Sequence, residues 1–175
     1  MTTWNFDPAH SEIAFKVRHM MFAKVSGSFK EWTGDFSFNP ENPSEASTRV
    51  SIDVASVDTS NEDRDNHLRS GDFFDVEAYP QIRFESTSFE KLGDGNLKVH
   101  GELTIRDVSQ TVALDAQYHG KGIDPWGNER VGFTASTTLN RKEFGLTWNQ
   151  ALETGGVLVG EKVEVELNIQ AVKAE

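Results

Sequence analysis

Apolar and polar side chains alternate with a period of two over most of this chain, and that pattern restricts it to extended segments with one buried face. After the turn signal Asp7-Pro8, one face carries Ser11, Ile13, Phe15, Val17 and His19, and the other Glu12, Ala14, Lys16 and Arg18. The pattern returns with Trp32, Gly34, Phe36 and Phe38; with Thr48, Val50, Ile52 and Val54; and with Ile82 and Phe84 after Pro80, in a strand that also holds Phe89. Leu97 to Ile105, Val112 to Tyr118, Val131 to Leu139 and Val163 to Ile169 repeat it on odd or even positions without a slip. These are about eight strands with consistent sidedness and no βαβ spacing, which predicts an all-β domain, an antiparallel barrel or a sandwich.

The interruptions are as informative as the strands. Trp4 to Asp7 reads as a short lead-in at a sheet edge, and Met20 to Val25 is apolar without alternation. Asn39 to Ser44 is a loop rich in turn residues. Between residues 58 and 71 the period changes: Ser60 and Asp63 resemble a capping box, and Gly71 stands where a helix would stop. This predicts one short surface helix from Asn61 to Ser70, anchored by Leu68 and followed by Phe73-Phe74 against the body. Leu92 to Asn96 is a hairpin turn, Asp107-Val108-Ser109 a tight connection, and Gly120 to Asn128 a longer loop. The last strand follows a break at Arg141 to Gly145 and a glycine-rich loop.

A length of 175 residues fits a single domain, 1–175, able to bury a sizeable core. Without cysteine there is no disulfide, thiolate metal site or cysteine nucleophile. The formal net charge of −11 opposes binding to nucleic acid and to anionic lipid surfaces. Neither a signal-peptide pattern nor a bilayer-spanning apolar run is present, so stable membrane insertion is not expected and the chain reads as cytoplasmic, or as periplasmic or secreted had a leader been removed. The inward set is weighted to phenylalanine, 12 Phe against 2 Tyr, so the strands enclose either an apolar cavity suited to a hydrocarbon chain or a plain aromatic core.

Eight short motifs occur in order. They are Asp7-x-x-His10-Ser11, Phe15-x-Val17-x-His19, Gly27-x-Phe29-x-x-Trp32-x-Gly34 and Leu68-x-Ser70-x-Asp72-Phe73-Phe74-Asp75. Pro80-x-Ile82-x-Phe84-x-Ser86, Gly101-x-Leu103-Thr104-Ile105-Arg106, Asn140-Arg141-Lys142-x-Phe144-Gly145 and Val159-Gly160-Glu161-x-Val163 follow. Together they resemble the YceI family across nearly the whole chain. The resemblance implies a lipocalin-like eight-stranded antiparallel β-barrel, often a homodimer, that binds a long-chain amphiphile such as a polyisoprenoid in a hydrophobic pore. No other cofactor is implied. Where the family usually has glycine after Arg106 this chain has Asp107, which tolerates the left-handed conformation.

On this reading the tail of a lipid would lie against Phe15, Val17, Phe36, Phe84, Ile105, Phe133 and Leu139, each of which could instead be core. His19 is either a headgroup contact or a core histidine satisfied by a neighbouring strand. Arg141 could hold a phosphate or carboxylate headgroup or pair with an acidic side chain; Lys142 is expected to be solvated and His10 to fix its turn. A calcium loop at Asn61-x-Asp63-x-Asp65 fails at its sixth and twelfth positions, Asn66 and Asp72. No catalytic motif is present, and an acid–base pair would have to come from distant strands, such as His19 with Asp7. The expected function is binding, storage or transport of an amphiphilic lipid (a polyisoprenoid or its phosphate, an isoprenoid quinone or a fatty-acid derivative) without catalysis. The alternatives are a stress-related scaffold with a filled interior, or an enzyme acting on a small amphiphile.

Overall fold

The last strand organises the others. In the computed structural model, which describes residues 2–152 and 158–175, β11 (Val159–Lys173) pairs along one edge with β10 (Glu129–Asn140), from Arg130↔Val172 to Asn140↔Lys162. Its other edge is shared: residues 171–173 pair with β1 (Thr3–Phe6), and residues 159–168 pair with β2 (Glu12–His19). Val163, Val165, Leu167 and Ile169 point inward along this strand, with the polar residues between them on the outside, as the alternation demands.

From β1 the ring continues through β4 (Trp32–Ser37), β5 (Ser47–Asp53), β7 (Gln81–Gly93), β8 (Asn96–Ile105) and β9 (Val108–Ile123) to β10 and β11, and every pairing is antiparallel. This is an eight-stranded barrel. Three further strands run in series from β11: β2, β3 (Ala23–Phe29) and the two-residue β6 (Val57–Asp58). The expectation of an edge strand at Trp4 is corrected: β1 has neighbours on both sides and closes the ring. It is too short to show a period, so only the tertiary pairing identifies it.

Turn chemistry sets several connections. Asp94 and Gly95, at φ 54° and 79°, make the tight β7–β8 hairpin. At the β8–β9 turn the left-handed residue is Arg106 (φ 57°) rather than the expected Asp107. The helix α1 spans Glu62–Arg69; its N-cap is Asn61, whose Oδ1 accepts the Arg64 N–H at 2.9 Å, so the capping residue lies one place beyond the expected Ser60. Glycines 155 and 156 of the loop before β11 lie outside the described residues.

The buried side chains form two clusters. Trp4, Phe36, Phe38, Phe89, Val131 and Ala171 belong to the one at the β1 end. There Phe38 and Phe133 meet edge to face at 4.9 Å and Tyr118 lies 5.1 Å from Phe38, an aromatic floor. The other, with Ile13, Phe29, Ile52, Ile82, Ile105 and Phe144, surrounds the end over which α1 and Phe74 pack.

Candidate ligand cavity

Between floor and helix the inward faces do not meet. They enclose a cavity of about 370 Å³, within the range of small-molecule sites. The filled-interior alternative is thereby corrected. Phe15, Val17, Phe84, Phe133 and Leu139 line the void and stay only half-buried because nothing packs on their inner surfaces; Phe36 and Ile105 line it from within the two clusters.

Two glycines reconcile bulky phenyl rings with an open lumen. A Cβ at Gly27 would lie 2.5 Å from Cζ of Phe15, and one at Gly101 would lie 2.5 Å from Cζ of Phe84. Each ring therefore rests against bare backbone of a nearby strand. An apolar void of this kind offers water no hydrogen-bonding partners, so its natural occupant is hydrocarbon.

Polar side chains gather where α1, the end of β2 and the segment after β10 converge. The ionisable groups that reach the cavity are His19, Arg64, His67 and Arg141; no carboxylate among the described residues lines it. The ring of His19 has no hydrogen-bond partner among those residues. Arg64 donates from Nε to Oγ1 of Thr59 and from Nη2 to its carbonyl oxygen, both at 2.8 Å. Buried Asp65 accepts the Thr59 N–H at 2.8 Å, locking α1 to the chain after β6. Nε2 of His67 hydrogen-bonds Oδ2 of Asp72 at 2.9 Å, and the ring stands edge-on to Trp148, ring centroids 4.6 Å apart.

Arg141 is only 4% exposed and has no acidic partner within salt-bridge distance among the described residues, which corrects the expected ion pair. It donates to the carbonyl oxygens of Gly160 (2.8 Å), Leu146 (2.6 Å), Trp148 (2.9 Å) and Val159 (3.2 Å), tying the segment after β10 to the start of β11. Burial pulls this guanidinium below its ordinary value, opposed by the charge of Glu161. Lys142, expected to be solvated, holds Glu161 at 2.8 Å.

His10 bonds Asp7 at 2.7 Å and lies outside the cavity. Asp7 neighbours Gln170 while His19 pairs with Val159, so the acid–base pair considered from sequence is split between the two ends of β11. Asn61 and Asp65 are committed to the helix cap and to Thr59, and the described residues contain no cluster of metal-ligating side chains. Thr59, Arg64, His67 and Trp148 escaped the sequence reading. The signal for two of them was Arg64, His67 and Leu68, three and four residues apart on one helix face.

Residues 4–171 match the profile of the YceI-like domain. The chain belongs to the YceI family. It is 37% identical over 165 residues to a UPF0312 protein of Shewanella baltica, covering 94% of this chain and 83% of that one. The UPF0312 protein of Staphylococcus epidermidis is also 37% identical, with 97% of each chain covered. Among solved YceI structures, the Campylobacter jejuni YceI protein superposes with a TM-score of 0.76 at 31% identity over 90% of both chains. Burkholderia cenocepacia BcnA shares the fold at a TM-score of 0.84 and 23% identity, covering 95% of this chain and 99% of that one. A polyisoprenoid binding domain from Saccharophagus degradans shares it at 0.71 and 13%, covering 99% and 100%.

Proposed function

We propose that this YceI protein binds and carries a long-chain amphiphile, its tail in the barrel and its head among His19, Arg64, His67 and Arg141. One observation carries the reading: an apolar cavity of about 370 Å³ whose ionisable lining groups, among the described residues, are all basic. If a methylene occupies about as much space as a water, ~30 Å³, the cavity takes roughly a dozen. At ~0.8 kcal/mol per buried methylene the tail contributes about 10 kcal/mol before binding entropy is charged. A partly exposed headgroup ion pair adds about 0–1 kcal/mol, so the wall sets affinity and the basic groups set orientation. The polyisoprenoid binding domain that shares this fold supports a prenyl tail, though a fatty acyl tail satisfies the same wall.

Native mass spectrometry of gently purified protein tests the proposal. An added mass removable by organic extraction, or stoichiometric uptake of a prenyl phosphate or long-chain fatty acid, is the expected result. A clean apo mass together with no uptake of either probe refutes it. The same spectra read the homodimer expected from the family resemblance.

A further inference from the structure

The β2–β3 hairpin turns at Met20, Met21 and Phe22, with His19 paired to Ala23 across its neck. Met20 and Met21 have φ of 53° and 68°, the left-handed region where turns favour glycine or asparagine. Phe22 is 84% exposed, and the two methionines are 42% and 47% exposed. Backbone conformation disfavours the two methionines here and exposure to water all three side chains, and burial within the chain does not compensate.

The tip stands on the rim of the cavity. The N–H of Met20 donates to the carbonyl of Leu158 at 2.8 Å, and Val17, His19, Val25 and Leu158 all line the void. Behind the tip, the outward faces of β2, β3 and β11 bring together Lys16, Arg18, Lys24 and Lys162. Two carboxylates beside them are held, Glu164 by Lys24 at 3.1 Å and Glu161 by Lys142 at 2.8 Å, and Glu166 follows one place further along the outward face of β11. The overall charge of −11 predicts repulsion from anionic lipid, yet among the described residues behind the tip Lys16, Arg18, Lys24 and Lys162 outnumber the adjoining Glu161 and Glu164.

We infer that the hairpin docks the protein on an anionic lipid bilayer. Met20, Met21 and Phe22 enter the boundary between headgroups and acyl chains, and the cations lie against the lipid phosphates. The cavity mouth then faces the bilayer, and a tail passes between the two without crossing water. The passenger rests on the carrier reading above; the docking does not. A three-residue tip is too small for a stable protein interface, which buries about 800 Å² on each partner, whereas a bilayer needs only a few inserted side chains beside a basic patch.

Co-sedimentation with phosphatidylglycerol–phosphatidylcholine vesicles and with phosphatidylcholine vesicles tests the docking, with uptake of a fluorescent fatty acid measured separately without vesicles. The wild-type protein should sediment with the anionic vesicles and less with the neutral ones. Its binding should fall as salt is raised to about 1 M, where the Debye length is about 3 Å. Phe22→Asp should lower vesicle partitioning about tenfold or more, and Lys16→Glu with Arg18→Glu should remove the preference for anionic lipid, both with fatty-acid uptake intact. Failure of the wild type to sediment with either vesicle, or unaltered sedimentation of Phe22→Asp, overturns the inference. Docking by a protein of clean apo mass that takes up neither the fatty acid nor a prenyl phosphate would uphold it while removing the carrier reading.

Discussion

Replacing Arg141 with methionine separates a clamp from a headgroup ligand. Methionine keeps an unbranched stem but loses every donor, and the carbonyls of Gly160, Leu146 and Trp148 then lose the guanidinium; that of Val159 keeps the side-chain amide of Asn149 at 2.7 Å. A buried acceptor left unpaired costs about 1–3 kcal/mol. Three carbonyls at the low end of that range cost about 3 kcal/mol, and the relief of no longer burying a charge brings the loss to about 1–3 kcal/mol. For a domain of this size each kcal/mol shifts Tm by ~2–4 °C, so the variant should melt about 2–12 °C lower. Arg141→Lys should recover only part of the loss, because one ammonium cannot span carbonyls on both sides of the clamp. Urea and thermal unfolding read the effect, with fatty-acid uptake measured on the folded fraction. A methionine variant within about 0.5 kcal/mol of wild type, the scale of an ordinary surface substitution, would refute the clamp.

Phe133→Arg sets an unpaired charge in the lumen beside Phe36 and Phe38 and should abolish uptake of a fluorescent fatty acid; unchanged uptake by a folded variant would take Phe133 off the binding wall. Gly101→Ala forces a Cβ to 2.5 Å from the Phe84 ring and 2.7 Å from the carbonyl oxygen of Glu85, and since backbone yields little it should cost about 1–3 kcal/mol in urea unfolding. Hydrogen bonding to Arg130 lowers the pKa of Asp7, and backbone N–H groups led by that of Asn128 hold Asp124 at about 2. Folded values below unfolded ones mean stabilisation that is complete above the ordinary carboxylate range and lost as pH falls toward about 2. The Tm difference between wild type and Arg130→Gln should therefore narrow on acidification below about pH 4; a constant difference would exclude the mechanism.

Much of the barrel was legible because inward residues from Leu97 to Ile169 obey a period that one-sided burial enforces. β1 was misplaced because closure joins residues 4 and 173, a relation no local pattern carries. β3 lacked a signal for a different reason: Ala23, Ser26, Gly27 and Ser28 are small, and Gly27 is required to be so by the Phe15 ring. The wall of the candidate site followed from alternation, but its rim did not. Thr59, Arg64 and His67 lie in a polar stretch that reads as solvated helix until the barrel end beneath it is known, and Trp148 lies in a segment with no period. Arg141 was visible as a cation, whereas its partners are carbonyls, which leave no trace in side-chain identity.

The four residues of β1 form the seam that closes the cylinder. β1 meets β4 through two residue pairs and β11 through three, so the seam's ladder is short and its strength lies elsewhere. Trp4 supplies part of it, its indole 3% exposed and its Nε1 donating to the carbonyl of Phe38 at 2.9 Å, and the N–H of Phe38 donates in turn to the carbonyl of Thr2 at 2.9 Å, a latch across the joint. With that latch cut, β4 and one end of β11 would become naked edges on a curled ribbon, able to zip onto another molecule. A few residues at the seam thus separate a vessel from a template for aggregation.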